Sequence, residues 1–194
     1  MLTTQLPGFK DPVHGAQQTF RALLDALARP GILQTTASLT PPEGLKPSCA
    51  AACLTLLDLE TTVWLQPGIS ESVRSWLLFH TGCRFTTEPQ TADFAVINDV
   101  ETMPRLDEFN WGTAEYPEAS TSLLIQLPAL QGTGSAVLQG PGILDTITIP
   151  APLHTDFWRQ WQEMTANYPL GLDAWCFAEQ QVLGLPRTAH IAGR

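Results

Sequence analysis

Lysine is nearly absent from this chain, and charged residues are scarce as a whole. Lys10 and Lys46 are its two lysines, against eight arginines, and Asp, Glu, Lys and Arg make up 15% of the residues, whereas about 25% is typical. The chain nevertheless carries six tryptophans. Stable protein interfaces are enriched in Trp and Arg and depleted in Lys and Glu. The composition therefore indicates a subunit of an assembly, although a single large core explains the same bias.

An excess of positive charge is also missing, because the formal net charge is −9 and the pI is about 4.7. General nucleic-acid binding and binding to anionic membranes both rely on a basic face, so both are disfavoured, although a few arginines can still form a local basic pocket. No apolar run approaches the length of a membrane helix. The first ten residues lack a basic start followed by an apolar core. We therefore expect a cytoplasmic protein.

Reactive sequence motifs are absent as well. There is no Gly-x-Ser-x-Gly elbow, no His-Glu-x-x-His and no phosphate-binding loop with its lysine. The four cysteines form no Cys-x-x-Cys pair, and without a signal peptide we expect them to be reduced. Cys49 and Cys53 lie four residues apart, as zinc ligands on one helix face would, but no histidine is close and their neighbours are alanine and leucine. We predict buried thiols and no metal site.

Hydrophobic periodicity predicts alternating helices and strands in the first half of the chain. Helices are expected over residues 14–29, from Ser48 as a cap to Leu57, and over 70–82, with strands at 32–38, 62–65 and 94–98. After Ser120 the spacing changes, and close strands at 122–127, 135–139 and 145–149 suggest antiparallel pairing. A last helix follows, with four large side chains on its buried face: Phe157, Trp158, Trp161 and Met164. We predict one α/β domain over residues 1–194, a three-layer mixed sheet flanked by helices.

The carboxy-terminal part predicts a β-hairpin with opposite charges at one end. Asp173 begins its first apolar run, and the second run ends on Pro186-Arg187-Thr188. Arg187 and Thr188 together can bind an anion through a guanidinium fork and a hydroxyl, with Arg21 as a further candidate. The alternative is an ion pair between Arg187 and Asp173 across the hairpin, and the sequence alone does not decide between the two.

Two further groups of side chains are candidates for acid–base chemistry. His190 follows Pro-Arg-Thr, and a neutral imidazole there can act as a base or a ligand, although a surface histidine near a terminus is the more ordinary interpretation. Glu115 and Glu118 flank Tyr116-Pro117. Paired carboxylates can do acid–base work, but a solvated loop is the more usual explanation.

Four blocks of sequence together resemble one protein family. The blocks are 20–24 with 30–31; 54–58 with 62–65; 116–118 and 120–123 with 138–143; and 169–173 with 185–188. In order and spacing they are similar to the H subunit of the bacterial carbon–phosphorus lyase core complex. One departure is visible, because the family commonly has proline where this chain has Thr62. That position begins a strand, so we expect little consequence.

The resemblance implies a fold like that of the pyridoxal-phosphate-dependent transferases, reduced in size. It also implies membership of a complex with G, I and J subunits that serves phosphonate catabolism. In that system adenine is displaced from ATP by an alkylphosphonate, which gives a ribose 1-alkylphosphonate 5-triphosphate. The family member resembles an accessory subunit with no established catalytic residue, and we expect a homodimer when it is free.

The lysines test whether the cofactor chemistry of such a fold is retained. Pyridoxal-phosphate enzymes need a lysine for the Schiff base, and here Lys10 lies in the amino-terminal tail and Lys46 in a proline-rich loop. We therefore expect no cofactor. The alternative function is a stand-alone enzyme that binds a phosphonate or nucleotide phosphate at Arg187, Thr188 and Arg21, with His190 or Glu118 as the base.

Trp158 and Trp161 are three residues apart, so one of them is either an interface anchor or part of the core.

Overall fold

The computed structural model describes residues 6–131, 136–149 and 151–193. Four α-helices lie within them: α1 (Pro12–Ala28), α2 (Pro47–Leu56), α3 (Glu71–Thr81) and α4 (Thr155–Thr165). The strands, in chain order, are β1 (Gln34–Thr35), β2 (Thr62–Leu65), β3 (Arg84–Thr86), β4 (Phe94–Ile97), β5 (Ser122–Gln126), β6 (Ala136–Gln139), β7 (Ile147–Ile149), β8 (Asp173–Ala178), β9 (Gln181–Leu185) and β10 (His190–Ile191). Short 3-10 helices occupy Pro89–Thr91, Leu106–Glu108 and Pro117–Ala119.

Local sequence signals account for where the helices begin and end. Helix α1 begins after Asp11, whose carboxylate accepts a hydrogen bond from the backbone N–H of His14, and Pro12 fits the first helical turn. Helix α3 begins after Ser70 and ends at Gly82, whose φ of 69° is the left-handed conformation that glycine adopts without strain. Helix α3 confirms the expected boundaries, whereas α1 begins two residues before the expected start at residue 14. Within the described residues, no helix is both long and apolar enough to cross a bilayer.

Seven strands form the main sheet, in the order β1-β9-β8-β5-β4-β2-β3. The five strands from β8 to β3 are parallel to their neighbours, whereas β9 and β1 are antiparallel additions at one edge. From β2 the chain passes to β3 on one side and then to β4 on the other side. The connections therefore change direction between β2 and β4, which makes this position a topological switch point.

Strand β5 corrects one expectation from the sequence. We expected residues 122–127 to pair antiparallel with the strands that follow, but β5 lies between β4 and β8 and is parallel to both. The physical reason is burial on both faces, because Leu123, Leu124 and Ile125 are all fully buried. A continuous apolar run of this kind is typical of a central parallel strand rather than of a half-exposed antiparallel one.

A second sheet of three strands, in the order β10-β6-β7, is the other departure. Its β6–β7 pair is antiparallel, as predicted. We expected one mixed sheet completed by the final hairpin. Instead the β8–β9 hairpin ends in the main sheet, and the chain continues to β10, which pairs with β6. The expected strand at 32–38 is reduced to β1, and Ser135 lies outside the described residues.

Two apolar clusters pack on opposite faces of the main sheet. Helices α1, α2 and α3 cover one face, where Leu124 and Phe177 point. Helix α4 and the second sheet cover the other face, where Leu123 and Ile125 point. The layers are thus a mixed sheet flanked by helices, as expected, with a small second sheet added.

Helices α1 and α4 show how closely these layers pack. Helix α1 lies so close to β9 that a Cβ at Gly184 would collide with the backbone of Ala26. On α4, Trp158 and Trp161 are 4% and 0% exposed, and the indole N–H of Trp161 donates to the carbonyl of Ala189 at 2.9 Å. Both tryptophans therefore lie in the core, and neither is exposed as an interface anchor.

Helix α2 differs from its expected start. Ser48 lies inside the helix rather than at its cap, because Pro47 begins the helix and Lys46 is the residue before it. The hydroxyl oxygen of Ser48 is buried and has no hydrogen-bond partner. The helix is anchored by its backbone instead, since the N–H of Ser48 donates to the carbonyl of Glu179 at 2.8 Å.

Candidate functional site

The end of the β8–β9 hairpin holds a network centred on Arg187. The Asp173 carboxylate accepts from the backbone N–H of Arg187 at 2.8 Å, and from its Nε and Nη2 at 3.1 and 2.7 Å. Nη1 donates to the carbonyls of Pro117 and Pro169 at 2.7 and 3.3 Å. Nη2 also donates to the hydroxyl of Ser120 at 2.6 Å. The ion pair that the sequence offered as one alternative is therefore present.

Arg187 has no hydrogen-bond donor left over in this arrangement. A guanidinium carries five N–H donors, and the contacts to Asp173, Pro117, Pro169 and Ser120 use all five. The side chain is 12% exposed and that of Asp173 is 26% exposed. The network joins the hairpin to the 3-10 helix at Pro117–Ala119 and to the segment after α4. An anion that binds Arg187 has to displace one of these contacts.

Two cavities adjoin this network. A cavity of about 540 Å³ is lined by Thr188 and His190, together with Arg187. A second one of about 410 Å³ lies beside Glu118 and shares Arg187 and Thr188 with the first. Arg21 lies exposed on α1 and lines neither of them. The structure thus brings together three of the four predicted anion-binding residues.

The larger of these two cavities also contains side chains that sequence reasoning missed. Tyr168 and Gln162 line it, and no motif marks either of them, because they reach Thr188 and His190 only when α4 packs against β10. His190 lies at its rim, with Nε2 3.0 Å from Nε2 of Gln139. With the amide nitrogen as the donor, the imidazole Nε2 is the acceptor.

A third cavity, of about 580 Å³, lies at the carboxyl ends of β4, β5 and β8. Asn98 follows β4, Gln126 ends β5 and Glu179 follows β8, and all three line the cavity together with Lys46 from the loop before α2. The loop position of Lys46 was predicted, but its place over the sheet was not. The sequence does contain a signal for this cavity, because Asn98 and Glu179 are polar residues that directly follow buried strands.

Hydrogen bonds fix the loop that carries Lys46. The side chain of Gln126, 6% exposed, accepts from the backbone N–H of Lys46 at 2.6 Å and donates to the carbonyl of Gly44 at 3.3 Å. The ammonium group of Lys46 donates to Oε1 of Glu179 at 2.9 Å. The cavity wall is therefore held by one buried amide and one ion pair.

The cysteines offer no reactive thiol in the folded state. All four are free and buried. Burial raises the pKa of Cys176 to about 12, and burial raises the pKa of Cys49 well above its ordinary value. The thiolate is the form that attacks electrophiles and binds metals. Among the described residues, no group of three or more His, Cys, Asp or Glu side chains is arranged to hold a metal ion.

Comparison with known proteins matches nearly the whole sequence to one family. Residues 7–192 match the family described as bacterial phosphonate metabolism protein (PhnH). A protein of Rhizobium meliloti (strain 1021), the alpha-D-ribose 1-methylphosphonate 5-triphosphate synthase subunit PhnH, is 39% identical over 186 residues, which are 94% of this chain and 93% of that protein. The putative C-P lyase subunit protein HtxG of Stutzerimonas stutzeri is 26% identical over 181 residues, which are 90% of this chain and 85% of that protein.

Proposed function

Because this chain belongs to the family of bacterial phosphonate metabolism proteins (PhnH), we propose that it is an accessory subunit of a carbon–phosphorus lyase core complex. In this role it supports the formation of an alkylphosphonate ribose 5-triphosphate from ATP and an alkylphosphonate in phosphonate catabolism. The observation that carries the proposal is the 39% identity to the Rhizobium meliloti synthase subunit over 94% of the chain.

The geometry at the hairpin end supports an accessory role. The fourth block of the resemblance consists of residues 169–173 with 185–188. Its two halves meet through Asp173 and Arg187, whose donors are all used within the protein. A network of this kind stabilises one arrangement of three chain segments. A structural role therefore accounts for these two residues, and no catalytic role is needed to explain them.

Exposed apolar side chains on α1 support docking to other subunits. Val13, Phe20 and Leu24 are 76%, 51% and 57% exposed, and their spacing of seven and four residues puts them on one face of the helix. Exposed apolar surface of this kind marks interaction sites. We propose that the free protein is a homodimer and that the G, I and J subunits are its partners in the complex.

The finer features of the fold and its setting complete the proposal. The main sheet with helices on both faces supports a reduced form of the pyridoxal-phosphate-dependent transferase fold. We propose that the chain does not use the cofactor of that fold, because Lys10 lies in the amino-terminal segment and Lys46 in the loop before α2, and neither ends a buried strand. We propose a cytoplasmic location.

The test is coexpression of this chain with the G, I and J subunits of its own organism, followed by native mass spectrometry. Incorporation at a fixed stoichiometry is expected. Combined replacement of Val13 and Leu24 by serine is expected to weaken that incorporation. The matched control is Leu144→Ser, since Leu144 is 98% exposed on the turn before β7 and belongs to no apolar stripe. A free homodimer that ignores the three partners contradicts the proposal.

The 540 Å³ cavity favours a second candidate function, a stand-alone enzyme acting on a phosphonate or nucleotide. Thr188 and His190 line that cavity, and neither the Thr188 hydroxyl nor Nδ1 of His190 is used in a hydrogen bond among the described residues. Binding to the folded state raises the melting temperature. The candidate predicts a shift with ATP plus methylphosphonate that Thr188→Val abolishes, and no shift in the isolated protein counts against it.

A further inference from the structure

The cavity at the carboxyl ends of β4, β5 and β8 has the position of a ligand site. In open sheets with parallel strands, ligands bind outside the carboxyl ends of the strands, at a switch point, and this cavity begins at β4, one of the two strands of the switch point. Its volume of about 580 Å³ lies within the usual range for small-molecule sites, roughly 300–1,000 Å³. We propose that it binds a small organophosphonate anion, with Lys46 as the charged contact. The choice of a phosphonate rests on the proposed function.

Lys46 has spare hydrogen-bond donors, which distinguishes it from Arg187. An ammonium group carries three N–H donors, and among the described residues the Lys46 ammonium uses one, in its bond to Glu179. The other two are free for the oxygens of a ligand. Its side chain is 35% exposed, so it is accessible from solvent without any displacement. A phosphonate can therefore bind free N–H donors at Lys46, whereas all the donors of Arg187 are already in hydrogen bonds.

The cavity is held in place before any ligand arrives. Gln126 binds the backbone on either side of Leu45, through Lys46 and Gly44. The N–H of Ser48 donates to the carbonyl of Glu179, which fixes the start of α2 against the hairpin. A preorganised site loses less conformational entropy when a ligand binds. The Lys46 backbone is thus fixed, and only its side chain has to adjust.

The backbone of Glu179, which also lines the cavity, has an unusual conformation. Its φ of 49° makes it the one non-glycine residue with a positive φ in the described part of the chain. It occupies the first position of the two-residue turn between Ala178 and Gln181, where glycine is the usual residue for such a φ. The two-residue turn accounts for this φ. Glu179 carries the carboxylate that holds Lys46 at the cavity.

The remaining lining selects an organic anion over inorganic phosphate. Pro47 and Pro128 form the accessible apolar part of the wall, since Leu127, which also lines it, is only 2% exposed. The Asn98 side chain, also in the wall, makes no side-chain hydrogen bond among the described residues and can donate to a further ligand oxygen. A short alkyl group attached to phosphorus can lie against the apolar side while the oxygens face Lys46 and Asn98.

The test is isothermal titration calorimetry of the full-length protein with methylphosphonate, and separately with inorganic phosphate. We expect saturable binding of methylphosphonate that Lys46→Gln weakens by at least about tenfold, the effect of losing one charge-assisted hydrogen bond. The matched control is Lys10→Gln, at the chain's other lysine, which should bind like the wild type. Glu179→Gln should tighten binding, because it removes a negative charge beside the bound anion.

Three outcomes overturn the inference: no binding of methylphosphonate at about 10 mM, equal weakening in Lys46→Gln and Lys10→Gln, or inorganic phosphate binding as tightly as methylphosphonate. Coexpression with the G, I and J subunits separates this failure from that of the proposed function. Lys46→Gln should still assemble, since no step of the docking argument uses Lys46. A wild type that assembles without binding methylphosphonate leaves the subunit role intact and removes the site.

Discussion

Replacing Arg187 by methionine keeps an unbranched side chain and removes every hydrogen bond that the guanidinium makes. The Asp173 carboxylate, 26% exposed, then keeps only the backbone N–H of residue 187 as a partner. Removing one partner of a buried ion pair costs about 3–5 kcal/mol. Because both side chains retain some exposure, solvent lowers this penalty. We expect a loss of about 2–4 kcal/mol in the free energy of unfolding.

Urea and thermal unfolding measure this loss directly. For a chain of this size each kcal/mol shifts the melting temperature by about 2–4 °C, so we expect a fall of roughly 5–15 °C. The matched control is Arg29→Met. Arg29 pairs with Asp25 one helical turn away, and the two side chains are 54% and 51% exposed. Exposed pairs of this kind contribute about 0.3–0.5 kcal/mol, so the control should hardly change the melting temperature.

A double-mutant cycle with Asp173→Asn isolates the pair itself. The two residues share hydrogen bonds, so their effects should not add, and the coupling energy should exceed about 1 kcal/mol. A loss below about 1 kcal/mol in Arg187→Met, or simple additivity with Asp173→Asn, would refute the reasoning. A small loss would show that the guanidinium contributes little to stability, and additivity would show that Arg187 and Asp173 are not coupled.

Three further predictions test other parts of the structure. Because burial raises the pKa of Cys176 to about 12, its thiol should react with neutral-pH thiol reagents only slowly in the native protein and rapidly in urea. His154 caps α4 by accepting the N–H of Phe157 at 3.1 Å, so His154→Ala should cost about 1 kcal/mol in urea unfolding whereas His154→Asn should restore most of it. Hydrogen bonds from Arg159 lower the pKa of Asp156 from its ordinary value of 3.8. The folded state therefore binds this proton less readily, stability should fall as the pH drops below about 4, and Asp156→Asn should reduce that acid sensitivity in melting curves.

Elements with a strong local signal could be predicted closely from the sequence. Strand β2 has the expected bounds, and α3 differs from the expected range only in its cap residues, Ser70 and Gly82. The reason is that caps and glycine turns act through contacts between residues a few positions apart. The β8–β9 hairpin was found on the same grounds, since a short polar turn joins two apolar runs.

Pairing between distant segments could not be predicted in this way. Strand β5 pairs with β8, although β6, β7 and α4 lie between them in the chain. Its apolar run fits either a buried parallel strand or one strand of a sandwich, and periodicity does not separate the two. The second sheet was missed for the same reason, because β10 finds β6 only after the hairpin has joined the main sheet.

The candidate site shows a similar division between what pattern and geometry can reveal. The pairing of Asp173 with Arg187 was one of two sequence alternatives, since both residues mark one hairpin end. Deciding between the two alternatives required a count of the guanidinium donors. Two of these donors bind the carbonyls of Pro117 and Pro169, which lie in segments distant from Arg187 in sequence. Lys46 was assigned correctly to a loop, but no pattern places that loop over the sheet.

Spare donors, rather than charge alone, decide where an anion can bind this acidic protein. Arg187 and Lys46 both line cavities larger than 400 Å³, and both are paired with a carboxylate. An anion that binds Arg187 has to break a hydrogen bond within the protein for each one that it forms, so little binding energy is gained. At the proposed Lys46 site the anion gains two donors and leaves the bond to Glu179 in place. One arginine therefore stabilises the fold, while one lysine keeps donors for the proposed ligand.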